Sequence, residues 1–300
     1  MFLKRALSLV RKTSRDLVDS HHKRSLATLA RPPRSLESID GLQFPSTLVV
    51  VAHPDDEVIS AGALLARLPR VGIICVTDGA PRRGPFAQAA GFDNWPDYAQ
   101  ARHREAESAL SLLSRDISPL HNLGVADQEA VFELVDTTRY LVNRFRSGIS
   151  HIITHAYEGG HPDHDAVAFC VHAACALMDK ESPAPRIVEA PLYSAPEGKV
   201  LRCEFLPNAD AGPPVSHRLT PAERDLKRRM FDCHVTQKEV LTVFNLDEEL
   251  FRLAPRYHFA APPHTGEIGY ERFKWPVTGT IWREHAWRAM GALGLLEALG

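Results

Sequence analysis

Two short clusters hold most of the side chains in this sequence that could carry chemistry. The first is Ala52-His53-Pro54-Asp55-Asp56-Glu57, and the second is Gly159-Gly160-His161-Pro162-Asp163-His164. Adjacent carboxylates such as Asp55 and Asp56 repel each other when both are ionised, and a cation bound by one of them removes the conflict. Two histidines and one aspartate match the pattern of a catalytic zinc, with three protein ligands and a fourth position left for water. Bound zinc brings the pKa of its water to near 7. A carboxylate that is not a ligand must then take the proton of that water. Taken singly, a loop histidine is more often structural and an Asp-Asp pair more often a solvated turn. Two such clusters, each following a buried strand, favour a shared metal.

The elements that must position these clusters are legible in outline. Thr47-Leu-Val-Val-Val-Ala52 is a continuous apolar, β-branched run, as expected of a strand buried on both faces of a parallel sheet. Pro54 has a fixed φ and no N–H, so it forces a sharp exit from that strand. Helical spacing follows from Glu57 to Leu68, then a second buried strand over Val71–Thr77, ended by the turn signal Asp78-Gly79. Residues 80–96 read as an irregular loop. The pattern then predicts a helix over Tyr98–Ser114, a short strand over Leu120–Leu123 and a helix over Gln128–Arg146. A strand at His151–Thr154, a helix over Asp165–Met178 and a strand at Ile187–Leu192 complete the alternation. Strands and helices in this order predict an α/β fold with a doubly wound, mostly parallel sheet, whose ligands sit at the carboxyl ends of the strands. A helix over Pro221–Leu241, a loop-rich stretch and a last helix over Trp282–Leu299 follow.

Bulk properties bound the function. The chain has 300 residues, 44% hydrophobic and 24% charged, ordinary for a globular protein with a sizeable core. The net charge of −2 gives no nucleic-acid signature, but it is unevenly spread. Residues 1–34 carry nine Lys and Arg against Asp16 and Asp19, a net +7, which leaves −9 for the rest. The expected organisation is a basic arm and linker over 1–46, an α/β domain over 47–242, and a C-terminal extension over 243–300 packing on it. The arm reads as a solvated basic helix, with peripheral membrane contact or a transit peptide as the sharper alternative. Five cysteines without a C-x-x-C fit a reducing, cytoplasmic setting, with Cys75 a core residue.

The paired motifs resemble those of the PIG-L/LmbE family of zinc-dependent de-N-acetylases, over roughly residues 46–240. The resemblance implies a three-layer α/β/α fold and hydrolysis of an N-acetyl or N-acyl group on an amino-sugar substrate, such as a glycoside or glycolipid. It implies His53, Asp56 and His164 as ligands of zinc or another divalent first-row metal, and Asp55 as general base. His161 would be the protonated histidine that stabilises the oxyanion, with Asp163 orienting it. Arg102 and Asp127 would bind substrate, with a helix N-cap as the alternative role for Asp127. Glu105 belongs to the same R-x-x-E helix as Arg102, and Asp78 would support the site from behind. Gly159 stands where some sugar-specific members carry a tyrosine, and the nearest tyrosine is Tyr157. His234 and Gln237 are expected on a surface helix, with a His/Gln-rich segment near the pocket rim, as the resemblance implies, as the alternative. A zinc amidase on a non-sugar amide and a non-catalytic carbohydrate-binding protein are the other readings.

Overall fold

The computed structural model describes residue 44 and residues 46–113, 118–178, 183–273 and 275–300. The basic arm expected over residues 1–46 therefore lies outside the described residues, Phe44 and Ser46 apart.

Five parallel strands form the centre of the molecule: β1 (Thr47–Val51), β2 (Val71–Pro81), β3 (His121–Asp127), β4 (His151–His155) and β5 (Arg186–Ala190). Their order is β3-β2-β1-β4-β5. The helices between them are α1 (Asp56–Leu65), α2 (Trp95–Ser111), α3 (Leu134–Phe145) and α4 (Pro162–Ala176). After β5 come a small hairpin of β6 (Tyr193–Ser194) and β7 (Leu201–Arg202), then β8 (Val215–Arg218), α5 (Pro221–Cys233), β9 (Glu248–Leu253) and α6 (Gly279–Leu293).

The unbroken apolar run of β1 follows from two-sided burial. Side chains alternate between sheet faces along a strand. Leu48 and Val50 join one apolar cluster with α3, α4 and α6, whereas Val49 and Val51 join another with α1, α2 and α5. Strand order reverses at the β1–β4 pair, where Thr47 lies opposite His151. The chain winds outward from β1 through β2 to β3 and then returns to β4, leaving a crevice beyond the carboxyl ends of β1 and β4. In open α/β sheets such a switch point is where ligands bind. Both chemical clusters follow these two strands.

Several boundaries differ from the sequence reading, each for a local reason. β2 does not stop at Asp78-Gly79. It continues to Pro81 with shifted register, and Gly79 takes up the irregularity at φ +70°. Side chains of Asp78 and Arg82 pair across this bend at 2.6 Å, so Asp78 serves the loop rather than the site. The helix expected from Gln128 begins as a turn and a 3-10 segment, because the Asp163 carboxylate accepts the N–H groups of Gln128 and Ala130. The helix expected over Pro221–Leu241 ends at Cys233, where His234 leaves helical geometry. The last helix breaks at Gly294 in left-handed geometry. The segment after Thr242, expected as a loop-rich extension, supplies β9, which pairs antiparallel to β5 and carries β8 on its other edge. Among the described residues no helix is long and apolar enough to cross a membrane.

Helix α1 starts at Asp56, and its continuity depends on a buried ion pair. Ala61 breaks helical geometry at φ −144°, which frees backbone groups on either side. The Glu249 carboxylate accepts the N–H groups of Ala63 and Leu64, while Lys227 Nζ donates to Ile59 O and to Glu249 at 2.8 Å. Lys227 and Glu249 are 1% and 2% exposed, so neither charge can fall back on water. Losing one partner of such a pair strands the other in low dielectric, at a cost of about 3–5 kcal/mol. Glu249→Gln and Lys227→Met should each lower unfolding free energy by about that amount in urea denaturation, and the double variant by much less than the two together. Unchanged midpoints in the single variants would show that the pair does not hold α1.

Candidate metal centre and its pocket

The first cluster turns sharply out of β1. Asp55 stands at φ 153°, a conformation rare outside glycine, and its N–H reaches back to His53 O at 3.0 Å. Asp56 then opens α1. The second cluster opens α4 in a conventional way. His161 is the N-cap, its Nδ1 accepting the Asp163 N–H at 3.1 Å, and Pro162 takes the first helical position. Gly160 is obligatory on this loop, since any side chain there would run into the Tyr193 carbonyl. Asp165 accepts the N–H groups of Glu158 and Gly159, and Glu158 accepts those of Leu192 and Tyr193, which ties the loop to the β6 hairpin.

At the crevice, His53, Asp56 and His164 meet. His53 Nδ1 lies 3.2 Å from Asp56 Oδ2, His164 Nε2 lies 3.4 Å from the same oxygen, and the two nitrogens are 3.3 Å apart. Ligands bound tetrahedrally at the usual metal–nitrogen and metal–oxygen lengths stand about 3.3–3.4 Å from one another. The three atoms therefore have the spacing of one face of such a shell. Tautomers agree with this. His53 Nε2 faces Asp163 Oδ2 at 3.2 Å and Asp127 Oδ1 at 3.4 Å, so its proton belongs there and the Nδ1 lone pair points inward. Two imidazole nitrogens in contact without a shared proton are otherwise unfavourable, and a cation between them resolves the contact. A buried His/Asp group able to bind a metal is thus present.

His155 also lies within 3.4 Å of Asp56 and close to His164, and sequence reasoning missed it. Its Nε2 already accepts the Ala52 N–H at 2.9 Å, which leaves no lone pair there for a ligand bond. Its ring stacks on His164 at 4.3 Å between centroids, holding that ring in place.

The electrostatics set Asp56 apart from Asp55. Burial opposes ionisation of Asp56, but His164, His53 and His155 outweigh it and hold the carboxyl well below its ordinary range. Burial likewise opposes a charge on His53, yet Asp127 and Asp56 raise its pKa well above the usual value, the mark of a position that favours a positive charge. Asp55 behaves differently. Burial pushes it up to about 7, with the Arg102 guanidinium pulling the other way.

Three expected roles change. Arg102 lines the pocket but is buried and already engaged, bonding Asp55 Oδ2 at 2.9 Å, Pro54 O and Gly79 O, so it also fixes the Asp55 turn. A side chain at position 79 would collide with that guanidinium. Asp163 does not orient His161. Its carboxylate is 3.9 Å from His161 Nδ1 and is spent on His53 and the N–H groups of Gln128 and Ala130. The acid facing His161 Nε2 is Asp127, at 3.7 Å. Nor does His161 favour the protonated form, since burial, His53 and His164 hold its pKa well below the usual value. It remains a donor through Nε2–H, because Nδ1 is the acceptor of the Asp163 N–H. Asp127 lines the pocket, and Glu129, not Asp127, occupies the following N-cap.

The cavity over this group is about 230 Å³. His53, Asp55, Asp56, Asp127, His161 and His164 form its polar end, while Ile59, Phe86, Tyr193, Phe244 and Trp275 supply apolar wall. Gln237, expected on a surface helix, lines it and donates to Tyr98 Oη at 2.7 Å. His234, given the same expectation, is fully buried. Glu105 explains why, accepting Thr236 N–H and Oγ1–H and so fastening this segment to α2. Tyr157 is no substitute for a pocket tyrosine: its hydroxyl bonds Ala261 O and its ring packs against Phe259 and Trp282. Tyr193, 5.3 Å from the His164 ring, and Tyr98 are the tyrosines that line the pocket.

Comparison with known proteins agrees with this fold. The family described as "PIG-L: GlcNAc-PI de-N-acetylase" matches residues 48–175. A Bacillus cereus protein named probable N-acetyl-alpha-D-glucosaminyl L-malate deacetylase 2 is 33% identical over 140 residues, 45% of this chain. The match spans 62% of that relative's length. The zinc-inhibited form of teicoplanin deacetylase Orf2 superposes with a TM-score of 0.52 at 16% identity, over 70% of this chain and 98% of that one. N,N'-diacetylchitobiose deacetylase from Pyrococcus horikoshii gives 0.51 at 18% identity, over 70% and 84%. These structures share the mostly parallel sheet flanked by helices. In sequence match, fold and paired motifs, residues 48–175 are similar to the PIG-L family.

Proposed function

We propose that this chain is a metal-dependent hydrolase that removes an N-acetyl or N-acyl group from an amino-sugar substrate, a glycoside or glycolipid, with zinc as the cation. The observation that carries the reading is the triangle of His53, Asp56 and His164 beside Asp55, a buried carboxylate that is not one of the three. The catalytic unit comprises residues 47–242, to which residues 243–300 add a sheet strand and part of the pocket wall. The relatives, each named as a deacetylase of an N-acetylated sugar compound or glycopeptide, support the reaction class.

His53, Asp56 and His164 would hold the cation. When bound, it supplies Lewis acidity to the acyl carbonyl and acidifies water in the site. Asp55 takes a proton from the attacking water, within a salt bridge to Arg102 that fixes its direction. The oxyanion that develops on the acyl oxygen accepts a hydrogen bond from His161 Nε2–H, a preorganised donor in the site. The C–N bond then breaks. Asp55 returns its proton to the departing nitrogen, and a carboxylic acid and a free amine leave. Asp163 has a positioning role, holding His53 through Nε2 so that Nδ1 faces the cation.

Three outcomes test this. Asp55→Asn should retain metal while kcat falls about 10²–10⁴-fold on an N-acetylglucosamine glycoside; a fully active variant would remove the base. Asp163→Asn should weaken metal affinity about 10–100-fold in a chelator competition, and an unchanged affinity would remove its link to His53. The pH profile of kcat/KM should rise with pH, because Asp55 works only when ionised. Burial sets its pKa at about 7, and a nearby cation stabilises the ionised form. The rising limb should therefore lie between the ordinary 3.8 and about 7, and should vanish in Asp55→Asn. A limb above 7 would contradict the assignment.

A further inference from the structure

The residues matched by the family end at position 175, yet one wall of the pocket comes from a hundred residues later. Trp275 lines the cavity, with its ring centroid 4.6 Å from that of His161 and the planes tilted by 59°. Phe273 stacks on the outer side of the indole at 5.0 Å and 24°, and is itself 61% exposed. Trp275 thus brings an aromatic surface to the polar end of the pocket, with Phe273 packed against it outside the lining.

The segment that bears Trp275 is fastened to the loop that bears His161. Gly269 N donates to Gly159 O at 2.8 Å, and Trp282 Nε1 donates to Pro162 O at 3.0 Å. Gly269 packs so closely that an added side chain would touch the Gly159 carbonyl. Ile268, Tyr270 and Val277 are buried on either side of Trp275. Such an arrangement holds the indole as a fixed wall and couples its position to His161. A flat aromatic wall of this kind, beside a few converging polar groups, is how pockets set the orientation of a ring-shaped ligand.

Resting on the hydrolase reading above, we propose that Trp275 is the specificity-determining platform for the pyranose ring. The C–H face of the sugar lies on the indole, with the N-acyl group directed to the His53, Asp56 and His164 end. An acyclic amide can reach the same end but has no ring face to cover the indole. Trp275 thereby discriminates between cyclic and acyclic N-acyl amines, with no part in proton transfer.

The test uses the full-length, metal-loaded protein and two probes, the methyl glycoside of N-acetylglucosamine and N-acetylethanolamine. Trp275→Leu keeps apolar bulk without the flat face, and Trp275→Phe keeps a smaller flat face. In Trp275→Leu the glycoside-to-acyclic ratio of kcat/KM should fall about tenfold, chiefly through KM of the glycoside, and Trp275→Phe should recover most of it. A ratio unchanged in Trp275→Leu, with the parent active on the glycoside, would overturn the platform while leaving the hydrolase reading intact. Equal losses on both probes would reduce Trp275 to a support for His161 and would overturn it as well. A parent that hydrolyses neither probe would sink the hydrolase reading and the platform with it.

Discussion

Three lone pairs converging on one point are the constraint that the rest of the site serves. His53 Nδ1, Asp56 Oδ2 and His164 Nε2 stand 3.2–3.4 Å apart inside a protein interior, where like-facing acceptors repel. Such a cluster is stable only if its geometry is enforced from outside and its charge is balanced from within. Enforcement comes from Asp163 on His53, from the Ala52 N–H on His155, and from the stacking of His155 on His164. A bound cation would supply the balance. The buried acids around it differ because their partners differ: Asp56 faces imidazoles, Asp163 faces N–H groups, and Asp55 faces one guanidinium while losing more to burial.

The sheet places these groups without any need for long or flexible connections. Because β1 and β4 are neighbours at the point where strand order reverses, the loops after them open into the same crevice. His-Pro is the exit in both. Pro54 turns the chain out of β1, and Pro162 starts α4 with its φ already suited to a helix. His161 can therefore be both a helix cap and a pocket donor, one nitrogen for each task.

How far the sequence could be read depended on how local each signal was. β1 was legible because burial on both faces leaves no polar residue between Thr47 and Ala52, and the two motifs were legible because His and Asp clusters at strand ends have few other uses. β9 was not: Glu249 and Arg252 interrupt its pattern, and only their buried partners Lys227 and Glu189, distant in sequence, explain them. The same holds for Arg102. An arginine in mid-helix reads as a surface group reaching for a ligand, and nothing near it in the chain announces that Gly79 O, Pro54 O and Asp55 will engage both of its terminal nitrogens. His234 and Gln237 looked polar and hence exposed. The contact from Glu105 to Thr236 that draws their segment inward is also long-range.

The part of the chain least suggestive in sequence makes the most particular contribution to the pocket. The His53, Asp56 and His164 end is built by residues of the two motifs themselves, so under the proposed function it would set the reaction type and say little about what the amine is attached to. Selectivity must arise from walls that vary independently of that end. Here the stretch around Trp275 is clamped to the His161 loop through Gly269 and Trp282, so the wall is held in place beside His161. A pocket organised in this way can acquire a new substrate by altering the C-terminal segment, with the buried triangle left untouched, because that segment joins the His161 loop through hydrogen bonds and packing and supplies none of the triangle's three atoms.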